Sequence, residues 1–150
     1  MKRLLLLLLI PTISYSQTFE DIMNMDSQKS FIKVMIENGY EKNSEHSDDD
    51  ISTYLLGHIE IESLGVDKID KIGLYDKSDD FFTFGDREQK DYKIIIEKIK
   101  KNCEYFDIIQ HNDKDFLCYS CPQSKYKGKI GYTIMGGMGT IGHFPPNRLK

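Results

Sequence analysis

The chain of 150 residues contains no tryptophan, three cysteines and four prolines, and its longest unbroken leucine-rich run is the seven residues 4–10. A membrane-crossing helix needs ~20 apolar residues, so no transmembrane span is expected in the mature chain. There is no G-x-S-x-G, no H-E-x-x-H and no P-loop. Without any such constellation the chain reads as non-catalytic, and no cofactor is expected. A basic excess is also lacking: 20 Lys and Arg stand against 24 Asp and Glu, a net charge of -4. That balance is a poor electrostatic match for nucleic acid, which is therefore not an expected partner.

What is present begins at the front. Met1-Lys2-Arg3 is a short positive start, residues 4–10 are apolar, and Ser14 and Ser16 place small residues at the -3 and -1 positions before Gln17. This is the layout of a secretory signal peptide over residues 1–16, and it resembles bacterial export signals. Removing it leaves one domain, residues 17–150, with 18 basic and 24 acidic residues and a net charge of -6. The expected location is extracytoplasmic, periplasmic or secreted, where a disulfide persists.

Helix signals follow. Thr18 with Asp21 fits a capping box, and Asp26 or Ser27 can cap a helix over residues 28–38 that ends at Gly39. Asp86 with Gln89 fits another such box ahead of a helix whose stripe is Tyr92, Ile95, Ile96, Ile99 and Cys103. Residues 41–50 read as a solvated acidic loop and residues 60–68 as a connection. Strands are expected over residues 52–60, 69–75, 81–84, 105–109, 116–121, 130–135 and 140–144. The resulting class is α+β: a two-layer sandwich in which two main helices cover one face of an antiparallel sheet of five to seven strands, in the order α-βββ-α-βββ.

The cysteines lie together, at Cys103, Cys118 and Cys121. If the turn spans residues 111–115 and Gln110 faces Phe116, Ile108 faces Cys118 and Tyr105 faces Cys121. Cys118 then shares a core face with Phe106, Ile108 and Phe116, while Cys103 lies diagonally near Cys121. A Cys103–Cys121 disulfide with Cys118 as a buried thiol is the preferred pairing, and Cys103–Cys118 is the alternative; a one-residue slip in register exchanges the faces. Cys118-Tyr-Ser-Cys121 is also a C-x-x-C, which opens a thiol-redox reading through Cys118. A metal site would need further ligands from His46, His58, His111 and His143, whose spacings suit none, so no metal is expected.

Gly137-Met-Gly139-Thr-Ile-Gly142 matches G-x-G-x-x-G. A dinucleotide fingerprint needs a following helix, and the eight remaining residues include two prolines. A hairpin turn and a close contact in the last strand are expected instead. The layout resembles small exported bacterial proteins, and that resemblance implies no site residue. The sequence thus points to an exported, non-catalytic domain that binds a protein or envelope partner. The alternative is a thiol-disulfide or metal-binding envelope protein using Cys118 and Cys121.

Overall fold

Thr18 opens the first helix as the sequence predicts. Its hydroxyl accepts from Asp21 N at 3.1 Å while the Asp21 carboxylate accepts from Thr18 N at 3.0 Å, a reciprocal cap for α1, Phe19–Asn24. Ser27 caps α2, Gln28–Glu37, and Gly39 follows with φ of 77°, the left-handed stop that glycine tolerates. These elements come from a computed structural model that describes residues 16–57, 59–61 and 66–148. Apart from Ser16, the expected leader lies outside the described residues.

The strands are β1 Glu41–Asn43, β2 Ile51–Leu56, β3 Ile59–Ile61, β4 Val66–Lys68, β5 Lys71–Asp76 and β6 Phe81–Asp86. After α3, Lys90–Asn102, come β7 Glu104–His111, β8 Lys114–Ser120, β9 Lys129–Met135 and β10 Met138–Phe144. Eight of them form one antiparallel sheet, ordered β1-β2-β5-β6-β10-β9-β8-β7, and β3 pairs with β4 separately.

The α+β expectation therefore holds in outline and needs three corrections. The sheet has eight strands rather than five to seven, because residues 41–43, expected to be loop, pair with β2 as Glu41↔Leu55 to Asn43↔Thr53. The described residues hold three helices rather than two, and six strands separate α2 from α3. The stretch 60–68, expected to be a connection, contributes to a small ladder, Ile59↔Lys68 to Ile61↔Val66. Three-residue strands are too short to display a period, which is why alternation misses them.

One core joins the helices to the sheet. Phe19 and Ile22 of α1, Phe31 and Met35 of α2, and Ile95 and Ile99 of α3 meet Phe82, Phe84, Ile130 and Ile141 from the sheet. β6 is buried along its whole length, so its Phe-Phe-Thr-Phe run shows no polar face. Its other side contributes Phe81 to a second, smaller cluster with Phe116, Cys118 and Phe144.

The start of α3 departs from expectation. Asp86 is the last residue of β6, and Gln89 precedes the helix in the left-handed conformation with no side-chain cap of its own. Asp86 caps the helix nonetheless, from the strand end: its Oδ2 accepts from Asp91 N at 2.9 Å and Tyr92 N at 3.2 Å. A carboxylate there satisfies orphan donors and complements the positive end of the helix dipole. The glycine motif resolves as expected of a hairpin. Gly136 and Gly137 take φ of 58° and 79° in the β9–β10 turn. A Cβ on Gly139 would lie 2.3 Å from Tyr92 Cγ, so this strand passes against the α3 ring only as glycine.

Candidate functional site

The sequence candidates converge on the β7–β8 hairpin. Its turn is Asn112-Asp113, with φ of 49° and 57°, two left-handed residues of the kind that match strand twist in a two-residue hairpin. The turn is thus shorter than the expected 111–115, and the register moves by one: Gln110 faces Asp115 and Ile108 faces Leu117. A bulge at Phe106 moves it once more, so Tyr105 faces Tyr119 and Glu104 faces Ser120. Continued by one residue, this register brings Cys103 directly opposite Cys121 rather than diagonal to it.

The two are joined in a disulfide across 18 residues of sequence. Cys103 is the C-cap of α3, and both cysteines pack against the helix-side core. The bond therefore ties the helix end to the returning strand. Cys118 is a buried free thiol. In an extended segment, residues three apart point to opposite faces, so this C-x-x-C directs its sulfurs away from one another. Burial pushes the Cys118 thiol up to about 12. Its partner across the strand is Asp107, and Ile109, not Ile108 or Phe106, packs beside it. The expected sharing of one core face thus holds for Cys118 and Phe116, while the shifted register turns Ile108 to the other face and leaves Phe106, at the bulge, on the Cys118 side but exposed. Alkylation of Cys118 in the folded protein is expected to run about three orders of magnitude slower than in urea, from the thiolate fraction alone. Timed labelling read by mass spectrometry checks this, and equal rates would contradict the burial.

The histidines are dispersed. His143 is buried, with Nε2 2.9 Å from the Ile22 carbonyl oxygen and its ring between those of Phe82 and Tyr126. Burial holds its pKa down to about 4. His111 stacks on Phe81 with ring centroids 4.3 Å apart, and His46 meets Asn43 Oδ1 at 2.9 Å. His58 lies outside the described residues. Among the described residues no three His, Cys, Asp or Glu side chains gather as a metal-binding set.

The register has a consequence that sequence reasoning missed. Ile108, Leu117 and Tyr132 form one cross-strand row, and Tyr105, Tyr119 and Ile130 another. Ile130 and Tyr132 belong to the core beneath the helices. The same face continues outward to the sheet edge, where Ile108 is 52% and Tyr105 50% exposed, with Leu117 and Ile134 also exposed. Tyr119 stacks on Tyr132 at 5.7 Å and bridges the covered and uncovered parts. On the opposite face Phe106, at the bulge, lies under the Lys129 ammonium at 4.4 Å. The signal that could have found this surface was the Asn-Asp pair, whose two left-handed residues fix the register.

The two ends of the sheet differ. β1 is three residues long and exposes Glu41 and Lys42, the short charged form that discourages pairing. β7 is eight residues long and carries the exposed apolar side chains. A cavity of about 100 Å³ opens under the hairpin tip, lined by Ile51, Leu74, Phe81, Thr83 and His111 among others. That is well below the ~300 Å³ at which small-molecule pockets begin. No family model, curated protein or solved structure matches the chain.

Proposed function

We propose that the chain is an exported, non-catalytic binding domain. Its leader is removed before Gln17, and its β7 edge receives an extended segment of a partner protein in the envelope or outside the cell. The observation that carries this reading is the uncovered continuation of the core face onto an edge strand. An edge offers a row of backbone donors and acceptors, and the pleat offers alternate side chains, which together recognise a strand from another chain. From Asp107 to His111 the β7 register is unbroken. The Cys103–Cys121 bond is compatible with an oxidising compartment. No helix among the described residues is long and apolar enough to cross a membrane. What weighs against the thiol-active alternative is the burial of Cys118 and the raised pKa of its thiol. What weighs against a metal at Cys118 and Cys121 is the engagement of Cys121 in the disulfide.

The test places a photo-crosslinking side chain at Ile108 in cells that make the protein, with Lys42 on the β1 edge as the control position. One discrete adduct with another protein from position 108, absent from position 42 and lost in Leu117→Glu, is expected. Leu117 is partly exposed between Ile108 and Tyr132, so the substitution itself should cost about 1 kcal/mol of folding stability, and a urea melt of the variant confirms that it still folds. Equal adducts from both edges, or none from position 108, would remove this surface as the binding site. An adduct of the chain with itself would make the occupant a second copy.

A further inference from the structure

Asp86, Asp91, Lys71 and Gln17 meet at the start of α3, from four separate parts of the chain. Asp86 is fully buried; its Oδ2 caps the helix, and its Oδ1 has no hydrogen-bond partner. Asp91, in the first turn of α3, is 4% exposed and accepts from Lys71 Nζ and, at 2.9 Å, from Gln17 N. Ser16 Oγ donates to its other oxygen at 2.8 Å. Gln17 is 3% exposed, and its Oε1 accepts from the Tyr40 hydroxyl at 3.2 Å. Asp91 thus accepts both the Lys71 ammonium and the Gln17 backbone nitrogen, with the buried Asp86 opposite Lys71 across the strands, and that nitrogen belongs to the residue that follows the expected cleavage point.

We propose that this cluster is a receiving site for the α-ammonium group that leader removal creates at Gln17. The inference rests on the export reading above. Hydrolysis of the Ser16–Gln17 peptide bond by an envelope peptidase adds the hydroxyl of water to the Ser16 carbonyl carbon and its hydrogen to the Gln17 nitrogen. That nitrogen then takes a proton from solvent. It gains donors and a full positive charge at a position already 2.9 Å from the Asp91 carboxylate. Departure of Ser16 frees Asp91 Oδ1 to accept a second N–H. The cluster becomes two carboxylates and two ammonium groups, and a charge-assisted bond replaces a neutral one. The groups facing the new amine are Asp91 of α3, Asp86 of β6, Lys71 of β5 and Tyr40 beyond α2. Asp21 of α1 is engaged with Thr18. The mature N-terminus is therefore a structural part of the domain, and the precursor, carrying only the amide, is held less firmly. A weaker precursor fold suits a chain that crosses a membrane before it is cut.

The proposal is tested on protein recovered from the envelope, first by intact mass and then by urea unfolding from neutral to alkaline pH. The amine's folded pKa is raised by its partner, so the added stability is complete below the unfolded amine's value and is lost as pH rises through the folded one. Expected are a chain starting at Gln17 with a free amine and an unfolding constant at least about tenfold smaller than that of the N-acetylated chain at neutral pH. The difference should vanish at alkaline pH and in Asp91→Asn. If Asp91→Asn does not fold, the acetylated chain alone carries the comparison. A start elsewhere than Gln17 overturns the cleavage reading and the proposal with it. A start at Gln17 with equal stability in both chains overturns only the receiving site. A mass lower by one ammonia, from cyclisation of Gln17, does the same, since that ring nitrogen carries no charge.

Discussion

Unfolding in urea should take about 3 kcal/mol less once the Cys103–Cys121 bond is removed, as in the paired Cys103→Ser, Cys121→Ser variant. The bond closes an 18-residue separation, and the chain-entropy cost of leaving such a loop open in the unfolded state sets the magnitude. Strain in the native state is not expected to offset it, because the hairpin register brings the two cysteines face to face. The folded-state consequence is local. Among the described residues β7 pairs with β8 alone, and the bond clamps the residue before β7 to the residue after β8, closing the open end of that hairpin against α3. Hydrogen exchange in the reduced protein should therefore rise first in β7, ahead of β6 and β10. Removing both cysteines together avoids a lone reactive thiol, and Cys118, being buried, stays in place as an internal control. A urea midpoint unchanged by reductant would mean that the bond is absent or contributes nothing.

Acidification should cost the domain roughly 3 kcal/mol between pH 6.5 and about 4 through His143 alone. The unfolded chain binds a proton on this imidazole near pH 6.5. The folded chain resists until about 4, because the charge would be buried among aromatic rings. Stability is therefore complete above the unfolded value, falls as pH drops through the window, and levels off below the folded value. Glu20 and Asp26 also lose folded-state support in acid, since hydrogen bonds hold their carboxyl groups below the ordinary values of 4.5 and 3.8. Their loss belongs at lower pH and on the surface, so the two windows separate. The measurement is the urea midpoint against pH for the wild type and His143→Gln, whose amide can still donate to the Ile22 carbonyl. The variant should lack the slope between pH 6.5 and 4. An identical slope in both would assign it to other groups. The bond from His143 to Ile22 anchors α1 on β10, so α1 is the element expected to loosen first in acid.

What the sequence made legible was whatever depends on near neighbours. The Thr18–Asp21 cap, the Ser27 cap and the buried stripe of Tyr92, Ile95 and Ile99 follow from spacings of three and four. The alternation of Ile130, Tyr132 and Ile134 placed β9, although Ile134 has outrun the helices that cover its neighbours. The rest depends on pairings that no window contains. The exposed apolar face follows from one turn and one bulge: the turn sets Ile108 opposite Leu117, and the bulge sets Tyr105 opposite Tyr119. Asp86 resembled a local cap and is a cap, but across a strand end and five residues on. The Gln17–Asp91 contact spans 74 residues, and Asp91 itself looked like an ordinary charge in the first turn of a helix.

The strand order also sets an order in time. β10 lies between β6 and β9, so it joins a four-strand ribbon made early, β1-β2-β5-β6, to one made late, β9-β8-β7. A chain emerging from its N-terminus cannot complete the sheet until its final strand appears. Until then Phe82 and Phe84 lack Ile141 and His143 beside them, and α1 lacks the imidazole that holds its end. Loss of the last dozen residues would leave two unjoined ribbons rather than a shortened domain. A chain halted before β10 leaves the facing edges of β6 and β9 unpaired, whereas one that includes β10 closes both together.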